Sequence, residues 1–182
     1  MRRARIGHGM DEREADALRM RREKDDFLKR SPQSPIADQA AFEGLRYFPY
    51  DAAFRVSAAW EPAATPRHVR IGTSTGEERD YLEAGTLRFT LGGQERTLRG
   101  FVAPGRPHEL FVPFRDATSG KESYGAARYL EVELPRHGHA LVDFNLAYNP
   151  WCAYSESYSC PLPPRENWLD VAIRAGEMQL KA

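Results

Sequence analysis

The stretch LRFTLGGQERTLRGF, residues 87–101, decides the fold. Leu87, Phe89 and Leu91 alternate with Arg88 and Thr90, and beyond the break Leu98 is followed by Phe101. Successive side chains of a strand point to opposite faces, so a period of two marks a half-buried strand, apolar inward and polar outward. Gly92-Gly93 between the two halves is a tight two-residue hairpin signal.

The same texture extends in both directions. Upstream, Phe54, Val56 and Ala58 alternate with Arg55, Ser57 and Ala59, and Val69 and Ile71 alternate with Arg70 and Gly72. Downstream come ELFVPF (109–114), the turn RDATSG (115–120), ARYLEVEL (127–134), a hairpin tip RHGH (136–139) and ALVDFNLAY (140–148). Leu169, Val171 and Ile173 alternate once more, which predicts a short closing strand; a helix over 165–173 behind Pro164 is the rival reading. Short strands separated by tight glycine turns argue against βαβ units. The prediction is a mainly β chain: an antiparallel β-sandwich or a partly open barrel, with a charged N-terminal helix and a long ordered C-terminal loop.

Residues 1–30 differ, with 10 basic and 7 acidic side chains and few large apolar ones. Met10, Ala17, Met20, Phe27 and Leu28 share one helical face, interrupted by Arg13 and Lys24. A helix from about Asp11 to Lys29 is expected, docked weakly, and Pro32 and Pro35 end it. The expected division is helix and connector over 1–35 and one antiparallel β domain over 36–182.

Composition excludes some functions. Lysine plus arginine and aspartate plus glutamate stand at 26 each, which removes the electrostatic case for nucleic acid. Apolar runs are too short to span a membrane, and the arginine-rich start runs into acidic residues rather than an apolar stretch. The reading is a cytoplasmic protein with neither nucleic-acid nor membrane partners. Two cysteines alone cannot make a four-ligand zinc site, and His137-Gly-His139 reads as a solvated turn, so no metal is assigned. No cofactor is indicated.

The strongest candidate for chemistry is residues 143–167, where NPWCAYSESYSCPLPPREN lacks either period. A long aperiodic loop is usually functional or packed over something. On a continuing strand Asp143 and Asn145 would share one face, with Phe144 and Leu146 on the other. A polar cluster of Tyr148, Asn149, Glu166 and Asn167 can close around Asp143, although Asp-x-Asn and Asn-Pro also serve as plain turn stabilisers. Cys152 lies between Trp151 and Tyr154. Three readings stay open for it: a small buried thiol, a nucleophile activated through folding, or one half of a bridge to Cys160. Asp116 and Glu122 read as turn residues. Arg128, behind Tyr124 and Gly125, can pair with Asp116, Asp143 or Glu166, either as a structural ion pair or as an anion receptor.

These residues resemble a known group. LFVPFRDATSGKESYGAARYLEVE and DFNLAYNPWCAYSESYSCPLPPRENWLDVAIRAGE are similar to the bacterial and archaeal domain-of-unknown-function family 1684, and the likeness covers roughly residues 20–178. The joint occurrence of Asp-Phe-Asn, Tyr-Asn-Pro-x-Cys-Ala-Tyr and Cys-Pro-Leu-Pro-Pro-x-Glu-Asn carries it, with Trp151 and Ala126 as departures. The resemblance implies that the polar residues of 143–167 form one constellation, and it implies no reaction.

Two functions follow. The first is a small-molecule-binding β domain, with enzymatic activity open, at a polar site within residues 116–167 and a pocket roofed by the 149–167 loop. Asp143, Glu166 and Cys152 are its catalytic candidates. Arg128, Asn145, Tyr148, Asn149, Tyr154, Asn167 and Tyr124 are its ligand-binding candidates. The second is a non-catalytic interaction or scaffold module, for which a homodimer is the simplest partner.

Overall fold

The structure is a computed structural model and describes residues 11–180. Six antiparallel strands form one nearly closed, barrel-like sheet in the order β5-β4-β3-β2-β1-β6. They are β1 (Arg55–Gly72), β2 (Glu78–Leu91), β3 (Gln94–Val102), β4 (Glu109–Phe114), β5 (Arg128–Glu133) and β6 (His139–Asp143). The hairpin read from residues 87–101 is present: Leu91 faces Gln94 across Gly92-Gly93, whose φ values of 61° and 76° suit glycine best.

β1 joins the two upstream strands into one 18-residue element. Its register against β2 shifts between Pro62 and Arg67. Past Ala59 the second edge of β1 has no ladder among the described residues, because β6 pairs only with Arg55 through Ala59. Proline lacks an N–H and is tolerated on a free edge or at a bulge, so Pro62 and Pro66 bend the strand without ending it.

Inward residues such as Leu87, Phe89, Leu98, Leu110, Val112 and Leu130 fill the main core. The outer face is not wholly polar. Ile71, Tyr81 and Phe101 form a second apolar cluster, with Val69, Ala103 and Phe111 packed against it. This sheet is therefore covered on both sides over part of its area.

Three expectations give way. The turn near Gly138 is there, yet β6 pairs with β1 rather than with β5, through Ala58 opposite Ala140. The strand predicted over 140–148 stops at Asp143, because its carboxylate accepts the N–H of Asn145 at 2.9 Å and turns the chain into a 3-10 turn, Phe144–Leu146. Phe144 and Asn145 are consequently both buried and Leu146 exposed, so the two pairs expected on opposite faces of a strand are each split. The chain then returns so that Tyr148 pairs with Tyr129 of β5, which draws the two ends of the sheet together. Lastly, residues 169–173 form no strand. Trp168 makes a single parallel bridge to Arg115, and Ile173 donates its N–H to Asp116 instead of a ladder partner.

From Ile173 to Met178 the chain runs as a strap held by buried charge. Arg128 is 1% exposed, and its guanidinium donates to the carbonyls of Ile173 (2.8 Å), Ala175 (2.6 Å) and Glu177 (3.2 Å) and to Asp116 Oδ1 (3.1 Å). Asp116 also accepts from Thr118 Oγ1 and Thr118 N. Gly176 has φ of 75°, and a Cβ there would lie 2.5 Å from the carbonyl oxygen of Ala147, so only glycine lets the strap pass.

The helix α1 (Glu12–Arg30) begins at an Asp11 cap and buries Ala17 and Leu28. Met20 and Phe27 are exposed, and Met10 lies outside the described residues. Polar contacts do most of the docking. Arg21 donates to the carbonyls of Phe48 and Asn145, and Lys24 reaches Glu177 at 2.5 Å. Lys24, read as an interruption of the buried face, is thus one of its anchors. The helix is not apolar enough to cross a membrane.

Removing one partner of a buried ion pair leaves the other charge without compensation. Arg128→Met is expected to lower unfolding stability by about 3–5 kcal/mol, read by urea denaturation. A loss under ~1 kcal/mol, the scale of a surface pair, would contradict this account of the strap.

Candidate functional site

The polar residues of 143–167 do not converge on one point. Asn145 bonds both backbone groups of Asp51 at 2.9 Å and donates to Asp143 Oδ1. Asn167 is fully buried and clamps β3 to β4, accepting from Arg99 N and donating to the carbonyls of Arg99 and Pro113. Glu166 lies on the surface, 3.5 Å from Arg99. The Asp143 carboxylate takes both the N–H and the side-chain amide of Asn145. Arg128 serves the strap.

A second group gathers around Glu177, a carboxylate that is 2% exposed. Its Oε1 takes Lys24, while Oε2 accepts from Asn149 N at 2.8 Å and from Tyr154 Oη at 2.7 Å. Burial, and then the charge of Glu177, push the Tyr154 hydroxyl far above the usual phenol range, so it stays a donor. The side chain of Asn149 donates to the carbonyl of Met178. One carboxylate thereby ties the helix and the start of the loop to the strap.

Beyond Asn149 the loop crosses the outer face of the sheet and flanks an open hollow of about 400 Å³. Its floor is a run of rings. Tyr81 stacks on Phe111 at 5.3 Å between centroids, Phe111 meets Tyr129 edge-on at 4.7 Å, and Tyr129 meets Tyr148 edge-on at 5.7 Å. Trp151 and Tyr158, edge-on at 5.1 Å, stand on the loop side with Pro150, Cys160 and Pro161. Several bonds fix this roof. Tyr129 Oη donates to Pro161 O at 2.6 Å, Leu162 N to Gly72 O at 2.8 Å, and Ser74 N to Cys160 O at 2.9 Å.

The charges at the rim are unequal. Arg106 bridges Glu109 and Glu131 at 2.8 Å each, and Glu131 also accepts from Tyr148 Oη at 2.9 Å. Burial first, and then Glu131, push the Tyr148 hydroxyl up, so it too remains a donor. Arg79 donates to the carbonyl of Ser159 at 2.6 Å and, among the described residues, has no carboxylate within 4.0 Å. Both glutamates of the lining sit on Arg106, and Arg79 is the arginine left without one.

Cys152 and Cys160 are free thiols near one edge of the roof. The N–H of Cys152 donates to Cys160 Sγ at 3.4 Å, and Tyr124 Oη lies 3.6 Å from Cys152 Sγ. Hydrogen bonding from Cys160 foremost, then from Tyr124 and Ser74, holds the Cys152 thiol below its ordinary value against the opposing effect of burial. The same contact with Cys152 and burial hold Cys160 above its own. The two thiols therefore titrate together, and the first proton loss belongs to the pair.

Of the residues singled out in the sequence, Tyr148 lines the hollow, and Tyr124 and Cys152 stand at the thiol edge. Asp143, Asn145, Asn149, Tyr154, Asn167 and Arg128 build the frame. Sequence reasoning missed Arg79, Tyr81, Phe111, Tyr129, Glu131 and Glu177. A signal existed for three of these. Phe111 sits between the inward Leu110 and Val112, and Tyr129 beside the inward Leu130, so an aromatic is placed on the face meant for water. Tyr81, next to Asp80 and Leu82, belongs to the same outer set. No local pattern announces Glu177, whose partners lie 153, 28 and 23 residues away.

A donor to sulfur favours the thiolate, so its removal must raise the pKa. Iodoacetamide labelling of Cys152 against pH is expected to show a midpoint below the ordinary thiol value of about 8.5. Tyr124→Phe should move that midpoint upward, and Cys160→Ala should move it further. A wild-type midpoint at or above the ordinary value would contradict the assigned contacts.

The chain has relatives. The solution NMR structure of an uncharacterised protein from Haloarcula marismortui is similar at a TM-score of 0.72 and 44% sequence identity, over 91% of this chain and 93% of that one. No curated protein matches the chain. A family model described as "Protein of unknown function (DUF1684)" matches residues 40–178, more than half of the sequence, and the chain belongs to that family.

Proposed function

We propose that this protein is a small-molecule-binding β domain, acting in the cytoplasm, whose ligand is a small organic anion with a flat apolar body. One observation carries the reading: an open hollow with an aromatic floor, flanked by the 150–161 loop, and a rim arginine that no carboxylate engages among the described residues. Its volume of about 400 Å³ suits a molecule of one or two rings. Ring faces of Phe111, Tyr129 and Trp151 offer stacking and edge contacts to a planar body. Arg106 holds both Glu109 and Glu131, so the two arginines and two glutamates of the lining balance, and Arg79 is the arginine among them that no carboxylate engages. An anion meets a donor there whose remaining N–H groups have no carboxylate to leave. Tyr148 and Glu131 form the polar end wall opposite the rings and orient whatever hydroxyl or amide the ligand carries.

The interaction-module reading keeps one specific observation. Met20, Leu146 and Trp151 are exposed large apolar residues beside a second hollow between α1 and the barrel. Light scattering distinguishes the two: a second copy seated there predicts a dimer that Met20→Glu dissociates, whereas the binding reading needs only one chain.

Titration of labelled protein with indole-3-acetate and benzoate, against indole and an indole amine, tests the main proposal by NMR. The carboxylates are expected to shift resonances of Tyr129, Trp151 and Ser159, with the neutral and cationic analogues weaker. Arg79→Gln should weaken carboxylate binding roughly tenfold, the scale of one charge-assisted hydrogen bond. No shift at millimolar concentration, or equal binding of the cationic analogue, would overturn it.

A further inference from the structure

The exposed ring of Trp151 and the half-buried ring of Tyr158 meet edge-on at 5.1 Å and draw the two ends of their loop segment together, one residue before Cys152 and two before Cys160. Cys160 is then fixed from behind: its N–H donates to Ser74 Oγ at 3.1 Å, and its carbonyl accepts from Ser74 N at 2.9 Å. Cys152 is fixed from the other side by Tyr124, whose hydroxyl reaches both its carbonyl oxygen at 3.3 Å and its sulfur at 3.6 Å. The Cys152 N–H, in turn, points at Cys160 Sγ. As whole residues Cys152 is partly exposed and Cys160 is buried, although Cys160 lines the hollow.

We propose that Cys152 and Cys160 are a redox-active dithiol that hydroperoxides oxidise reversibly to an intramolecular disulfide. Cys152 is the attacking sulfur and Cys160 the resolving one. The Cys152 thiolate displaces on the terminal peroxide oxygen. The O–O bond breaks, an S–O bond forms, and the leaving alkoxide or hydroxide takes a proton to become alcohol or water. Cys152 is then a sulfenic acid, oxidised by two electrons. Cys160 Sγ attacks that sulfur, the S–O bond breaks, and the departing hydroxide leaves as water with the thiol proton of Cys160. The sum is one hydroperoxide reduced to alcohol and water, with two thiols converted to one disulfide. A small-molecule thiol reverses it by two exchange steps and ends as its own disulfide. Three observations support these roles: the Tyr124 hydroxyl beside the Cys152 sulfur, which stabilises a thiolate; the greater exposure of Cys152 as a residue; and the second thiol already in contact with the first residue's backbone.

The test uses the full reduced chain and a stoichiometric amount of hydrogen peroxide near neutral pH, with thiol counting and intact mass under non-reducing conditions. Both thiols are expected to disappear together, with a loss of two hydrogens from the monomer mass and a linked Cys152–Cys160 peptide. The rate should exceed that of free cysteine by about tenfold, as a thiol ionised well below its ordinary pKa allows. Dithiothreitol should restore both thiols. Cys160→Ser should stop at a sulfenic acid that dimedone traps on Cys152, while Cys152→Ser should leave Cys160 unreactive. Tyr124→Phe, which removes only a hydroxyl, should slow the first step and leave the disulfide as the end product. Survival of both thiols, a disulfide formed only between molecules, or a Cys160→Ser variant that gives no dimedone adduct would overturn the proposal.

Discussion

The guanidinium of Arg128 leaves water completely on folding, and the rest of the molecule is arranged around where its donors go. Desolvation opposes its charge, and Asp116 beside it restores that charge. Three further donor contacts are to backbone carbonyls of the strap, at Ile173, Ala175 and Glu177. Among the described residues the strap pairs with the chain only at Glu177, opposite Tyr47, and these carbonyls would otherwise be buried and unmet. The ion pair therefore substitutes for a ladder, and this is why the alternation of Leu169, Val171 and Ile173 does not produce a strand.

What the strap carries is the buried carboxylate of Glu177. It accepts from Asn149 and Tyr154 where the roof begins, and from Lys24 on the helix. Two separate parts of the chain thus take their positions from one side chain. The far end of the roof is fixed independently, to the turn after β1 through Ser74 and to β5 through Tyr129. Between these fixed ends lies the aromatic hollow, with the thiol pair at its edge. Asp143, a catalytic candidate, and Asn145, a ligand-binding candidate, terminate a strand and brace Asp51. Polar groups buried in this way are part of the frame, and the accessible chemistry lies on the outer face of the sheet.

Elements with strong local periodicity were legible. The hairpin around Gly92-Gly93, the alternation of β5 and the charged helix all rest on contacts within a few residues, and each is present. Two kinds of information were not local. Asp143 has the polar side chain of a solvent-facing strand position, and only its hydrogen bond to Asn145 N ends the strand there. Glu177 resembles any surface glutamate until Lys24, Asn149 and Tyr154 surround it. The roof loop was recognisable from its lack of period. Its partners were hidden because Tyr81, Phe111 and Tyr129 come from three different strands, and no single segment shows that their rings meet.

The claim beneath all of this is that Glu177 passes the order of the barrel to both the roof and the helix. Amide hydrogen exchange on Glu177→Ala tests it most directly. The expected result is faster exchange in residues 149–161 and in α1, with the amides of β1 through β4 unchanged. Unaltered exchange in the roof and helix, or uniform acceleration through the whole barrel, would contradict it.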